Sequence, residues 1–153
     1  MAGEHILVDG YSILYHWPEL QPFHNRSLAA GREALIQILT QFHDARGGRL
    51  TVVFDGRSLP PGGTSIRTSI EVVYSKEGQT ADSIIEKMVA QSPDPKAFLV
   101  ATEDYAEQNT IESFGGQSIS AQGFHAMVEA ELDELEHVLQ KLTFKNHPFT
   151  RGR

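Results

Sequence analysis

The chain has 153 residues, a formal net charge of −7 and no cysteine. The length suits one domain with a buried core, and the lack of cysteine excludes disulfides and thiolate metal sites and fits a reducing cytoplasm. The acidic balance argues against a broad nucleic-acid-binding surface, which is usually basic. No apolar run approaches the roughly 20 residues of a membrane span, and the start does not resemble a signal peptide. We therefore expect a cytoplasmic protein without membrane association.

Short apolar runs alternate with helical patterns along the chain. Continuous apolar runs predict strands at residues 5–8, 50–54, 70–74 and 97–101, with a short strand at 118–119. Three- and four-residue spacing predicts helices between these strands and a long final helix from about residue 120. This alternation predicts a three-layer α/β domain with a mainly parallel central sheet of about five strands.

Two internal segments and the C-terminus lack these patterns. Residues 18–25 are predicted to form a loop, and residues 57–69, which are rich in Gly, Pro and Ser, a mobile surface loop. We expect the domain to span residues 1–142 and residues 143–153 to form a flexible, basic tail.

Acidic residues follow the predicted strands. Asp9, Asp55 and the pair Glu103 and Asp104 each come directly after a strand, and Asp82 lies in the first turn of a helix. Because parallel strands end at the same edge of a sheet, these carboxylates should surround one pocket. Each acid alone has an ordinary explanation as well, since Asp-Gly is common in turns and an acid in a first helical turn complements the helix dipole.

A cluster of carboxylates favours metal-dependent hydrolysis. Mutual repulsion makes such a cluster costly unless a cation lies among its members, and Mg²⁺ and Mn²⁺ prefer carboxylate oxygens. Bound metal ions activate water for attack on a phosphodiester. A phospho-accepting signalling domain would need adjacent acids near the first strand, and an aspartate-nucleophile phosphatase would need Asp-x-Asp, but Asp9 is followed by Gly10 and Tyr11.

Five motifs carry a family resemblance. They are ILVDGY at 6–11, VVFDG at 52–56, VYSKEGQTADS at 73–83, EDYAEQ at 103–108 and SISA at 118–121. Together they resemble the YacP-like branch of the NYN family, within the PIN-like nucleases. The resemblance implies a PIN-like fold and a metal-dependent endoribonuclease that uses Mg²⁺ or Mn²⁺.

The resemblance also assigns site residues. Asp9, Asp82 and Asp104 match the acidic catalytic and metal-binding positions, and Asp55 and Glu103 are further candidate ligands. The chain departs from the family pattern at Ser12, where many relatives carry Asn, and at Glu103, where Ser is usual. The first change removes an amide and the second adds a carboxylate.

The substrate implied by the resemblance is RNA, and presentation of the RNA on the ribosome is one expected mode of access. Candidate RNA contacts near the same edge are Arg57, Arg67, Lys76, Tyr11, Ser12 and Gln108. The basic residues could equally be ordinary solvated cations. The alternative function is a non-catalytic RNA- or ribosome-binding module that keeps the PIN-like fold.

Overall fold

The structure, a computed structural model, describes residues 3–56, 64–67 and 69–146, without the side chains of 64–67 and 144–146. Its strands are β1 (His5–Asp9), β2 (Arg49–Phe54), β3 (Thr64–Arg67), β4 (Ile70–Tyr74), β5 (Phe98–Ala101) and β6 (Gln117–Ile119). They form one sheet in the order β3-β4-β2-β1-β5-β6. Among the described strands, only β3 runs antiparallel to its neighbour. The predicted mainly parallel sheet is therefore confirmed.

Helices cover both faces of this sheet. They are α1 (Gly10–His16), α2 (Gln21–Arg26), α3 (Leu28–Arg46), α4 (Ala81–Ala90), α5 (Tyr105–Ser113) and α6 (Ala121–Asn146), with 3-10 turns at Pro18–Leu20 and Pro95–Ala97. Within the described residues, no helix is both long and apolar enough to cross a membrane.

The core consists of two apolar layers, one on each face of the sheet. Ile6 and Val8 of β1 point into the layer formed with α1, α3 and α6, whereas Leu7 points into the layer formed with α4 and α5. This alternation follows from the two-residue period of a strand. Burial on both faces explains why the β1 sequence is apolar without interruption.

Three predicted boundaries differ from the structure. Residues 18–25, predicted as a loop, form a 3-10 turn and most of α2. The predicted loop 57–69 contains the edge strand β3, which pairs antiparallel with β4 from Thr64–Val73 to Arg67–Ile70. The last helix continues past residue 142 to Asn146, because the sequence has no Gly or Pro between Gly123 and Pro148. Residues 147–153 of the predicted tail lie outside the described part of the chain.

Candidate active site

The first acid of the site lies where β1 turns directly into α1. Asp9 is the last residue of β1, and Gly10 begins the helix. A Cβ atom at position 10 would lie 2.4 Å from two ring carbons of Phe54, so only glycine allows this close approach. Packing against Phe54 thus explains Gly10. The direct turn from β1 into α1 places the Asp9 carboxylate at the C-terminal edge of the sheet.

The second acid is held at the start of α4. Thr80 caps this helix by accepting a hydrogen bond from Ser83 N at 3.2 Å, and Ser83 Oγ accepts one from Thr80 N at 3.1 Å. These two bonds form a reciprocal capping box. The Thr80 hydroxyl also donates to Asp82 Oδ1 at 2.6 Å. This bond fixes the orientation of the Asp82 carboxylate.

The third acid is the N-cap of α5. Asp104 Oδ1 accepts hydrogen bonds from Ala106 N at 2.9 Å and Glu107 N at 3.3 Å. These bonds satisfy two backbone donors that the first turn of a helix otherwise leaves unpaired. The cap orients the carboxylate at the same edge of the sheet as Asp9.

Glu107, the most buried acid of the site, is not among the site residues predicted from the sequence. One carboxylate oxygen each from Asp82, Asp104 and Glu107 lie within 4.8 Å of one another. Glu107 is only 1% exposed. Its carboxyl group forms a side-chain hydrogen bond with Asp9, and no N–H or hydroxyl group of the described residues donates to its Oε1. The available signal was its spacing, because an acid three residues after an N-cap lies at the same helix end.

Asp9 joins this group through Thr102. The Thr102 hydroxyl oxygen lies 2.9 Å from Glu107 Oε2 and 3.2 Å from Asp9 Oδ2. A hydroxyl carries one proton and can donate to only one of these carboxyl groups. Burial raises the pKa of Asp9. Burial and the neighbouring charge of Asp9 raise the pKa of Glu107 to about 9. The metal-free site therefore retains a proton near neutral pH.

Ser12, Glu103 and Gln108 fix the loop between β5 and α5. Ser12 Oγ accepts a hydrogen bond from Glu103 N at 2.8 Å, and Gln108 Nε2 donates to Thr102 O at 2.7 Å. Glu103 Oε2 accepts from Ala121 N at 2.7 Å, at the start of α6. The Glu103 carboxylate is thus engaged by α6 and is not one of the three acids grouped above.

Two further candidate residues also have structural partners. Asp55 Oδ1 accepts a bond of 3.4 Å from Ser75 Oγ, and Asp55 is not in the group of three acids. The Tyr11 hydroxyl accepts a 2.9 Å bond from Arg32 Nη1, and the Tyr11 ring packs against Phe54. Tyr11 is therefore partly buried and packs against the core.

Of the three basic residues predicted to contact RNA, only Lys76 has a described side chain. Lys76 is exposed in the turn before α4. Arg57 lies outside the described residues, and for Arg67 only the backbone, in β3, is described.

The group of acids fits a hard divalent cation. Glu86, one turn after Asp82 on α4, adds a further carboxylate, and burial together with the charges of Asp82 and Asp104 raises its pKa. In the described ranges, no Lys, Arg or His forms an ion pair with these acids. A bound Mg²⁺ or Mn²⁺ would compensate the negative charge of these neighbouring carboxylates.

Comparison with known proteins agrees with this arrangement. The YacP-like NYN domain family matches residues 6–151. The protein YacP of Bacillus subtilis (strain 168) is 34% identical over 142 residues, which is 90% of this chain and 82% of that protein.

Crystal structures of Rae1 (YacP) from Bacillus subtilis have the same fold. One is 32% identical with a TM-score of 0.79, and the match covers 92% of this chain and 82% of that one. The structure of the W164L mutant is 33% identical with a TM-score of 0.78, and the match covers 91% of this chain and 82% of that one. The chain therefore belongs to the YacP-like NYN domain family, and its domain is a PIN-like nuclease domain.

Proposed function

We propose that this protein is a metal-dependent endoribonuclease that hydrolyses RNA phosphodiester bonds. Asp82, Asp104 and Glu107 would hold Mg²⁺ or Mn²⁺, and Asp9 would complete the acidic site. The observation that carries the proposal is the group formed by Asp82, Asp104 and the buried Glu107, whose carboxylate oxygens lie within 4.8 Å of one another.

The chain's own residues would organise this chemistry. A bound divalent ion supplies activation of water and stabilises negative charge on the attacking and leaving oxygens. Asp82 and Asp104 are oriented in advance by the caps of α4 and α5. Thr102 holds Asp9 and Glu107 at a fixed separation through one hydroxyl. Such fixed ligands need little rearrangement during the reaction.

RNA is the proposed substrate, and presentation by a partner such as the ribosome fits the charge of the chain. A net charge of −7 gives little general attraction for a polyanion. Affinity would then come from local contacts near the site and from the partner. A non-catalytic RNA- or ribosome-binding module is the alternative if cleavage is absent.

The test is cleavage of a mixed-sequence single-stranded RNA with Mn²⁺ or Mg²⁺. We expect wild-type protein to cleave and Asp82→Asn to lose at least about 100-fold in rate, the scale of removing one preorganised electrostatic group. Asn keeps an oxygen that accepts the Thr80 bond, so the variant should fold. Asp133→Asn, on the exposed face of α6, is the matched control and should cleave normally. Equal cleavage by wild type and Asp82→Asn would refute the proposed site.

A further inference from the structure

A groove lies beside α4, on the side that faces the end of β4. Its volume is about 370 Å³. Val73, Ile84 and Met88 contribute its apolar surface, and Lys76, Ser83 and Lys87 contribute polar groups. All of these residues belong to the part of the chain whose side chains are described. None of the acids discussed above lines the groove.

The spacing of residues on α4 relates this groove to the acidic site. Asp82 and Glu86 are four residues apart and form one stripe of the helix, the stripe whose carboxylates are close to Asp104. Ser83 and Lys87 form the neighbouring stripe, which lines the groove. The helix therefore carries the acidic site on one flank and the groove on the other, and the two flanks meet at its first turn.

The charge of the groove is opposite to that of the acidic site. Lys76 and Lys87 are both exposed, and neither forms an ion pair with a described residue. No Asp or Glu lines the groove, although the chain has 20 acidic and 13 basic residues. Two unpaired ammonium groups beside an apolar surface suit a strand with phosphates on one side and bases on the other.

We propose that this groove binds the single-stranded RNA segment that flanks the scissile phosphate. Lys76 and Lys87 contact backbone phosphates, and the apolar surface formed by Val73, Ile84 and Met88 contacts unstacked bases. The strand passes over the first turn of α4 between the groove and the acidic site. This inference rests on the proposed function and adds a second binding region with a preference for unpaired RNA, since duplex RNA keeps its bases stacked.

The test measures binding separately from cleavage. A fluorescein-labelled, mixed-sequence single-stranded RNA is titrated with the full chain in EDTA, at several salt concentrations, and anisotropy is recorded. We expect the double variant Lys76→Gln/Lys87→Gln to bind severalfold more weakly. Its plot of log affinity against log salt should be shallower by about 0.7 per lysine removed. Lys96→Gln/Lys141→Gln is the matched control, and its affinity and salt dependence should equal those of wild type.

The outcomes separate this inference from the proposed nuclease activity. Equal affinity and salt dependence of wild type and Lys76→Gln/Lys87→Gln would overturn the groove and leave the cleavage result intact. Absence of any RNA binding by wild type would also overturn it. Conversely, lysine-dependent binding together with no metal-dependent cleavage would support the groove and refute the nuclease. A duplex of the same sequence should compete less well than the single strand, and equal competition would contradict the preference for unpaired RNA.

Discussion

At the scale of single residues, the chemistry of the site centres on Glu107. Its carboxyl group is buried and lies beside Asp9. Burial and the negative charge of Asp9 raise the pKa of Glu107 from 4.5 to about 9. The charged form is costly in such a place unless a cation accompanies it. A residue with this environment is typical of functional sites rather than of cores selected for stability.

Glu107 gives the metal-free protein a specific pH dependence. Because the pKa is higher in the folded state, the folded protein binds more protons than the unfolded chain above pH 4.5. The associated stabilisation is complete below pH 4.5 and is lost as the pH rises through about 9. We expect Glu107→Gln to flatten this decline, because the amide resembles the protonated acid. Urea unfolding in EDTA across this pH range measures the free energy of unfolding of wild type and Glu107→Gln. The same dependence of this free energy on pH in both proteins would contradict the expectation.

His5 produces the opposite dependence at the other end of β1. Its Nε2 lies 2.9 Å from Thr51 Oγ1, which donates to Glu71 Oε1 at 3.0 Å. Since the Thr51 proton goes to Glu71, His5 Nε2 is the donor to Thr51. Burial, followed by the charge of Arg49, lowers the pKa of His5 from 6.5 to about 4.

As the pH falls, His5 is therefore protonated at a higher pH in the unfolded chain than in the folded protein. The stabilisation is complete above pH 6.5 and is lost as the pH falls towards 4. We expect His5→Gln to be less stable than wild type at pH 7, with the difference shrinking by about 1–2 kcal/mol at pH 5. Urea unfolding of both proteins at the two pH values tests this expectation. A difference that stays constant would show that His5 does not titrate as described.

Several residue assignments followed from the sequence, and others required the structure. Asp82 and Asp104 could be located because helix starts and strand ends leave clear local signals. Glu107 could not be identified in the same way. An acid three residues after an N-cap can be an exposed capping residue or a buried site residue, and its position in the sequence does not distinguish the two. The Glu103 carboxylate could not be assigned to the start of α6 either, because Glu103 and Ala121 are distant in sequence.

At the scale of secondary-structure elements, the loop between β5 and α5 determines where Asp104 lies. Ser12 on α1 accepts from Glu103 N, and Glu103 in turn accepts from the start of α6. Three elements that are separate in sequence are thus joined at one short loop. This connection gives Ser12 a positioning role at the site.

Ser12→Ala tests that role. Loss of the hydrogen bond should cost about 1 kcal/mol of unfolding free energy and lower the cleavage rate by displacing Asp104. Ser92→Ala is the control, since Ser92 Oγ also accepts a backbone bond, from Asp94 N, away from the acids. It should lose similar stability and keep full activity. Equal activity of the two variants, measured at saturating RNA, would argue against a positioning role.

The elements themselves were predictable to the extent that their signals were local. Apolar runs and caps located the five parallel strands and the helices α3 to α6. The strand β3 was missed because it is defined by pairing with β4, which composition does not reveal. The helix α2 was missed because Pro22 and the polar residues around it suggested a loop, although Pro is well tolerated in the first helical turn.

At the scale of the whole molecule, charge is distributed unevenly. The chain is acidic overall, its carboxylates gather at one edge of the sheet, and two lysines that form no ion pair with a described residue line a groove beside them. Strand and helix alternation predicted the layered fold and the edge at which the acids meet. It did not predict the strand order, because that order depends on crossovers and not on any local pattern.

Asp82, Asp104 and Glu107 are proposed to form one divalent-metal site. Calorimetric titration of Mn²⁺ into wild type, Asp82→Asn, Glu107→Gln and the control Asp133→Asn tests it most directly. We expect saturable Mn²⁺ binding to wild type and the control, and at least about 10-fold weaker binding to the other two variants, since each loses a charged ligand. Unchanged Mn²⁺ affinity in Asp82→Asn and Glu107→Gln would contradict the claim.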